Sequence, residues 1–468
     1  MHMKSARLLI LLILISPVLL RCTCKKTGGG QRPCPAVPEY KGYTLALGNL
    51  TPDDFKRIIQ EELNIELKEE EFYVCPCDGN IAFLNHGGIT IDGHGPVQVK
   101  TGTEAVGLDI EFAKNFVIDT DASNEDSEIA GTLIKTLQQE RFQTADSTGI
   151  NPLIPAGQEA SNASGANVVA VFDGGVHESL KDLSFKSILG LEDNSVDRLC
   201  KPQIDVPLNS YNRMVGVNHL MEEGTTNIDY TAIWDNSSSQ HGIKVTYLLA
   251  SQRVGQSGAN PLRILTMRVL DAHNKGDLFS LMCAMAQARK LGANIFNLSL
   301  GYYGPESRML RDYIKGLESD KIWVVAAAGN SIDRFNDEDA HLPRNRDLTL
   351  RSEESKFFPA YFAADMGHVI AVTTVRDGLD STCNLQNYGK RVVDIGVKGE
   401  NCGFPFPQVT GQGIQGTSYA TPIVSGWLAT KNNLNNFVDK EALLSDASVT
   451  EPLKSQIKGG KYIKINAN

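Results

Sequence analysis

The sequence predicts an α/β protein with a doubly wound, mostly parallel sheet, preceded by a smaller α+β N-terminal region. The first observation is that apolar segments of strand length alternate with helical patterns through the larger, C-terminal part of the chain. Such alternation is typical of a parallel sheet with helices on both faces. The second is that two of these segments end in polar turns, Asp173-Gly174-Gly175 and Gly329-Asn330. Polar groups at the carboxyl ends of parallel strands indicate a functional site there.

The composition is that of a folded protein. The chain has 468 residues, of which 41% are hydrophobic, so it is long enough to bury sizeable cores and is not disordered overall. Its 55 acidic and 45 basic residues give a net charge of −10. This excess of negative charge argues against nucleic acid as the main partner.

The first 24 residues have the pattern of a secretory signal. A basic start precedes an apolar run, Leu8 to Leu20, that is too short to cross a bilayer core comfortably. Cleavage after Cys24 and lipid attachment at Cys22 are both open, although Arg21 is a poor match to the small residue that bacterial lipoproteins carry before the anchored cysteine. We therefore expect a secreted or extracytoplasmic protein. A lipid at Cys22 would anchor it to the membrane.

A Gly- and Pro-rich linker over residues 25–39 separates this signal from the N-terminal region, residues 40–148. Thr51 is placed to cap a helix that has Pro52 at its first position. Strand-like segments accompany this helix, at residues 43–47, 71–74, 80–85, 97–100 and 108–118.

The nine cysteines suit an oxidising compartment, and their odd number leaves at least one unpaired or removed with the signal. Cys283 lies on the apolar face of a predicted helix, so we expect a buried thiol there. Cys75 and Cys77, with His86 and His94 near them, are candidate zinc ligands. Their C-x-C spacing is not that of the usual zinc knuckle, and disulfides are the simpler expectation in a secreted chain, so we predict no metal site.

The segment from Gly416 to Gly426 places Ser418 at the start of a predicted helix. Gly416 allows a tight backbone approach, and a hydroxyl at a helix start lies beside unpaired backbone N–H groups that help to stabilise an oxyanion. Because Ser and Thr are also the commonest helix caps, such a segment alone is more often structural. Its interpretation as a nucleophile depends on partners elsewhere in the chain.

Three residues are candidate partners. Asp173 and Asn330 each follow an apolar strand, and His241 opens a helical run. Each of them alone is typical of a turn or a cap. Together with Ser418, their order along the chain and their flanking residues resemble the subtilisin-like serine peptidases, the subtilase family.

The resemblance covers residues 149–468, which it identifies as a subtilisin-like peptidase domain. It is carried by short motifs around each candidate residue: residues 170–176, His241-Gly242 with Val245, residues 293–301, residues 324–330 and residues 416–422. Helices are then expected at residues 243–251, 277–291, 306–317 and 418–431. Two stretches are interpreted as insertions, residues 178–235 and the charge-rich, solvated residues 331–357.

The resemblance implies a secreted serine endopeptidase that hydrolyses peptide bonds through an acyl-enzyme intermediate. Ser418 would be the nucleophile, His241 the general base and Asp173 the carboxylate that orients the imidazole. Asn330 would donate its side-chain amide to the oxyanion, together with the backbone N–H of Ser418.

The substrates implied are polypeptides. An extended substrate would pair with the backbone of Ser299-Leu300-Gly301, and Ala327-Ala328-Gly329 would line the pocket for the residue before the scissile bond. No cofactor is required for this chemistry. Relatives often bind structural calcium, but no calcium motif is recognisable in this sequence.

Two alternatives remain open. The histidine motif departs from the family pattern at Ile243, Lys244 and Tyr247, so a catalytically inactive binding protein on the same fold is the other interpretation. Residues 40–148 occupy the place of a propeptide that would be cut from the enzyme near residues 138–149. They carry no recognisable propeptide motif, so a permanent binding domain is the alternative.

Overall fold

A computed structural model of the chain describes residues 40–92, 97–101, 104–108, 110–120, 166–176, 189–192, 199–200, 213–221, 228–252, 262–330, 347–350, 356–404, 413–431, 434 and 439–465. Several sequence predictions lie outside these residues. They are the signal at residues 1–24 with Cys22, the linker at residues 25–39, the candidate zinc ligand His94 and the cut near residues 138–149.

The N-terminal region is an α+β unit of one helix and seven strands. In chain order they are β1 (Tyr40–Ala46), α1 (Pro52–Leu63), β2 (Phe72–Val74), β3 (Ile81–Leu84), β4 (Thr90–Asp92), β5 (Val97–Thr101), β6 (Glu104–Leu108) and β7 (Glu111–Asp119). The hydroxyl oxygen of Thr51 accepts a hydrogen bond from the N–H of Asp54 at 3.1 Å, so the predicted cap of α1 is confirmed. Strand β1 pairs antiparallel with both β3 and β7, and α1 packs its apolar side into a core with these strands.

The larger unit contains the remaining elements. Its helices are α2 (His241–Ser251), α3 (Leu278–Lys290), α4 (Arg308–Gly316), α5 (Thr417–Ala429) and α6 (Lys440–Leu443). Its strands are β8 (Asn167–Asp173), β9 (Leu191–Glu192), β10 (Arg213–Met214), β11 (Gly216–Asn218), β12 (Leu262–Arg268), β13 (Lys275–Asp277), β14 (Ile295–Leu298), β15 (Tyr302–Gly304), β16 (Trp323–Ala327), β17 (Lys356–Phe358), β18 (Val369–Val375), β19 (Ile395–Lys398), β20 (Gly403–Phe404), β21 (Ile414–Gln415), β22 (Ser448–Val449) and β23 (Lys461–Lys464).

Nine of these strands form one sheet in the order β11-β12-β8-β14-β16-β18-β19-β23-β22. Neighbouring strands are parallel throughout, except that β22 and β23 are antiparallel. The chain extends the sheet from β8 first towards β11 and β12, and then crosses to β14 on the other side. Strand β8 therefore lies where the winding direction reverses, and open α/β sheets place ligands at the carboxyl end of such a strand.

Helices cover both faces of this sheet. Along β8, Val169 and Val171 join an apolar core with α2 and α5, whereas Ala170 and Phe172 join a core with α3 and α4. A strand that is buried on both faces must be apolar at consecutive positions, which is why these residues form a continuous apolar run. The predicted doubly wound, mostly parallel fold is confirmed.

The two stretches interpreted as insertions contribute to the core of the protein. Strand β11, within residues 178–235, pairs in parallel with β12 at the edge of the main sheet. Strand β17, at the end of residues 331–357, pairs with β15, and its Phe357 is only 2% exposed. Both strands have three residues, which is too short for a periodic pattern to predict them.

The described residues contain three disulfides: Cys75–Cys283, Cys77–Cys200 and Cys383–Cys402. The first two join the N-terminal region to the larger unit. The expectation that Cys283 is a free buried thiol is therefore wrong, because its sulfur is bonded to Cys75. Cys75 and Cys77 are paired and are not available as zinc ligands.

The described part of the chain holds no group of three or more His, Cys, Asp or Glu side chains placed to bind a metal ion. Within the same residues, no helix combines the length and the apolar character needed to cross a membrane.

Candidate active site

The candidate site lies at the carboxyl edge of the main sheet. Strand β8 ends at Asp173, and β16, two strands away, ends shortly before Asn330. Helices α2 and α5 begin at the same edge, with His241 as the first residue of α2 and Ser418 as the second residue of α5. The two helices pack in one core, so four residues that are distant in the sequence meet at this edge.

Asp173 and His241 form a buried pair. The Nδ1 atom of His241 lies 3.0 Å from Oδ1 and 2.9 Å from Oδ2 of Asp173. Side-chain exposure is 1% for His241 and 0% for Asp173. Because a carboxylate only accepts hydrogen bonds, Nδ1 carries the proton and Nε2 keeps a lone pair with which to act as a base. Nε2 is buried and makes no hydrogen bond to any described residue.

The hydroxyl of Ser418 donates to the backbone oxygen of Thr120 at 3.1 Å. Thr120 is the last described residue before residue 166 and belongs to the N-terminal region. In this structure the Ser418 proton is therefore directed to the N-terminal region and not to Nε2 of His241.

Two local features position Ser418 at the start of α5. Gly416, just before the helix, has φ = +137°, a conformation that glycine adopts without strain. Pro422 has no N–H group, so the backbone oxygen of Ser418 lacks the donor that a helix would normally provide. The hydroxyl of Ser299 donates to this oxygen at 2.8 Å, and thereby ties the start of α5 to the end of β14.

Asn330 is held with its amide nitrogen available as a donor. Its Oδ1 accepts hydrogen bonds from the N–H of Thr417 at 2.9 Å and from the Thr417 hydroxyl at 3.3 Å. The hydroxyl of Tyr303 donates to the backbone oxygen of Asn330 at 2.8 Å. Because Thr417 occupies the amide oxygen of Asn330, the NH₂ group of the same amide is left to act as a donor. It is suited to donate to an oxyanion next to Ser418.

Gly301, the last residue of the segment Ser299-Leu300-Gly301, pairs with an extended strand of the protein's own N-terminal region. The N–H of Asp119 donates to the oxygen of Gly301, and the N–H of Gly301 donates to the oxygen of Asp119, both at 3.0 Å. On its other side, Asp119 pairs antiparallel with Lys275 of β13. The end of β7 thus lies as an added strand in the cleft, which is one common way for proteins to bind an extended peptide.

The other residues predicted to bind substrate lie at the end of β16, the strand next to β14. Ala327 and Ala328 are buried, and Gly329 leads directly to Asn330. Gly329 has φ = +89°, in the left-handed region that favours glycine.

Sequence analysis missed Asp235, a buried carboxyl group near the Asp173–His241 pair. Its Oδ1 accepts hydrogen bonds from the N–H of Ser237 at 2.9 Å and from the Ser237 hydroxyl at 2.6 Å. Burial raises the pKa of Asp235 above its ordinary value, and the negative charge of Asp173 acts in the same direction. An Asp-Asn-Ser stretch is typical of a turn, so only its position shortly before His241 could have indicated this residue.

Comparisons with known proteins identify the family of this chain. The model of the subtilase family matches residues 117–451. The chain is similar to Subtilisin BL of Lederbergia lenta, with 28% identity over 198 residues, which are 42% of this chain and 64% of that protein. It is also similar to the thermophilic serine proteinase of Bacillus sp. strain AK1, with 27% identity over 245 residues, 51% of this chain and 54% of that protein. The chain thus spans less than two thirds of the length of these curated relatives.

Among solved structures, the chain is similar to the epidermin leader peptide processing serine protease of Staphylococcus aureus. The identity is 15%, the match covers 91% of this chain and 97% of that one, and the TM-score is 0.47.

Proposed function

This chain belongs to the subtilase family, and on that premise we propose that it is a secreted serine endopeptidase acting on polypeptides through an acyl-enzyme. The observation that carries the proposal is the buried pair of Asp173 and His241. Its carboxylate binds Nδ1 and leaves Nε2 free to act as a base, beside the helix that presents Ser418.

In the acylation step, the Ser418 oxygen attacks the carbonyl carbon of the scissile bond while Nε2 of His241 accepts the hydroxyl proton. Asp173 stabilises the resulting imidazolium and keeps the ring in the required orientation. The negative charge that develops on the carbonyl oxygen is stabilised by the amide of Asn330 and the backbone N–H of Ser418.

The intermediate then collapses as His241 returns its proton to the leaving amine, which breaks the C–N bond and leaves an ester on Ser418. Water attacks this ester while His241 accepts one of its protons. His241 then returns this proton to the Ser418 oxygen as the ester C–O bond breaks, which releases the carboxylic acid product and restores the enzyme. This chemistry requires no cofactor. Any structural calcium would affect stability and not these steps.

A serine-reactive probe tests the proposal. We expect secreted, processed wild-type protein to take up a fluorophosphonate at Ser418 and to cleave casein. The control variant Ser425→Ala should still react and cleave. Ser425 is a fully buried serine on the same helix, and its hydroxyl donates to Oδ1 of Asn297. If folded wild type neither reacts nor cleaves, the alternative of an inactive binding protein replaces this proposal.

We also propose that residues 40–120 inhibit the enzyme until the chain is cut after them. The support is the end of β7, which occupies the cleft and accepts the Ser418 hydrogen bond through Thr120. A cut near residues 138–149 would divide the chain, yet Cys75–Cys283 and Cys77–Cys200 would keep the two parts joined. We therefore expect a disulfide-linked, two-chain enzyme instead of a freely released propeptide.

Gel electrophoresis checks this expectation. Processed wild type should run as one species without reductant and as two fragments with it, whereas Ser418→Ala should remain a single chain in both. Replacing Cys75 and Cys77 with serine should free the N-terminal fragment without reductant. Replacing Cys383 and Cys402 should not, because that disulfide lies within the larger unit. Separate wild-type fragments without reductant would contradict the prediction.

A further inference from the structure

We infer that Phe357 restricts the residue before the scissile bond to small side chains such as Gly, Ala, Ser and Thr. The inference rests on the proposed endopeptidase function and adds a substrate preference to it. Phe357 lies at the end of residues 331–357, which the sequence predicts to be a solvated insertion. The structure places its ring beside Gly329, next to Asn330.

The cleft next to Ser418 has two backbone walls. Strands β14 and β16 are parallel neighbours, and beyond their ends the chain continues as residues 299–301 and residues 328–330. An extended substrate lies along the first wall, as β7 does through Asp119 and Gly301. The carbonyl under attack must lie against Ser418 and Asn330, at the end of the second wall. The side chain of the attacked residue therefore enters the gap between the two walls.

The ring of Phe357 already fills this gap. A methyl group on Gly301 would come within 2.5 Å of Cζ of Phe357. A methyl group on Gly329 would come within 2.8 Å of Cγ and Cδ1 of the same ring. One ring therefore lies close to both Gly301 and Gly329 and occupies space between the two walls, and Phe357 is only 2% exposed.

The ring is held in place by its surroundings. Phe357 pairs with Tyr303 across strands β17 and β15, and the two ring centroids lie 4.7 Å apart. The Tyr303 hydroxyl donates to the backbone oxygen of Asn330 at 2.8 Å and accepts from Nδ2 of Asn387 at 2.6 Å. Moving the ring out of the gap would disturb a packed and hydrogen-bonded group that also positions Asn330, so a large substrate side chain cannot easily displace it.

The protein's own segment in the cleft agrees with this restriction. The residue whose backbone oxygen faces Ser418 is Thr120, which has a small side chain and is 2% exposed. Because Thr120 is almost fully buried, a larger side chain at this position would have to displace its neighbours. Overpacking of this kind is unfavourable in a closely packed site.

Two peptides that differ only in Ala or Phe before the scissile bond test the inference in the secreted, processed protein. We expect wild type to prefer the Ala peptide by about 100-fold in kcat/KM, in line with what pocket shape achieves for one side chain. Phe357→Gly should remove most of this preference, because it opens the gap. The control Phe362→Ala removes a fully buried ring from the nearby 360–364 helical turn and should leave the preference unchanged.

If wild type cleaves the Phe peptide and the Ala peptide with equal kcat/KM, the inference is overturned, whether or not Phe357→Gly folds. A folded Phe357→Gly that keeps the full preference for Ala would also overturn it. Peptide phosphonates with the same two residues separate this failure from failure of the proposed function. If the Phe probe labels the protein better than the Ala probe, the inference alone is contradicted. If neither probe labels it, the proposed function is contradicted together with the inference.

Discussion

Replacing Ser418 with alanine is expected to lower turnover by about a million-fold while the protein remains folded. The nucleophile is lost, and neither the oxyanion donors nor the base can form an acyl-enzyme without it. The structural cost is small, since the hydroxyl makes one hydrogen bond, to Thr120, worth about 1 kcal/mol. Turnover of a peptide substrate and the thermal unfolding midpoint measure the two effects separately.

Ser425→Ala is the matched control for this result. Ser425 lies on the same helix, is fully buried and donates to Oδ1 of Asn297 at 2.8 Å. Its loss should lower stability by about 1 kcal/mol and leave turnover close to wild type. Substantial turnover in purified Ser418→Ala would show that another residue supplies the nucleophile.

Asp173→Asn is expected to lower turnover by about 10⁴-fold with little change in KM. The asparagine keeps the size of the side chain but can direct an N–H donor at Nδ1 of His241. Nδ1 would then accept that hydrogen bond, the ring proton would move to Nε2, and Nε2 could no longer take the proton from Ser418. Separate measurement of kcat and KM distinguishes this loss of a base from a loss of substrate binding.

Asp235→Asn tests whether any neighbouring carboxyl group would produce the same loss. Asp235 is 5% exposed and close enough to interact electrostatically with the pair, yet it bonds to Ser237 and not to His241. We expect a change in turnover of less than about 10-fold, because the orientation and tautomer of His241 do not depend on it. Near-wild-type turnover in Asp173→Asn would remove Asp173 from the proposed triad.

Local sequence patterns predicted the longer helices and several of the strands. The helix expected at residues 277–291 is α3 at Leu278–Lys290, and the helix expected at residues 418–431 is α5 at Thr417–Ala429. The strand predicted at residues 43–47 begins earlier, at Tyr40. These elements could be predicted because apolar spacing and caps are properties of a few consecutive residues. Strand β11 was missed because three residues carry no periodicity, and its place is set by pairing with β12.

By itself, the sequence determined the family and the candidate residues Asp173, His241, Asn330 and Ser418, because short motifs in a set order are specific. Only the tertiary structure decided which cysteines pair and which distant residues lie in and beside the cleft. The bond from Cys283 to Cys75 joins residues 208 positions apart, and a buried cysteine has the same local pattern with or without a partner. Thr120 and Phe357 likewise reach the site through contacts between distant segments, and no local pattern encodes which distant side chain will fill a given space.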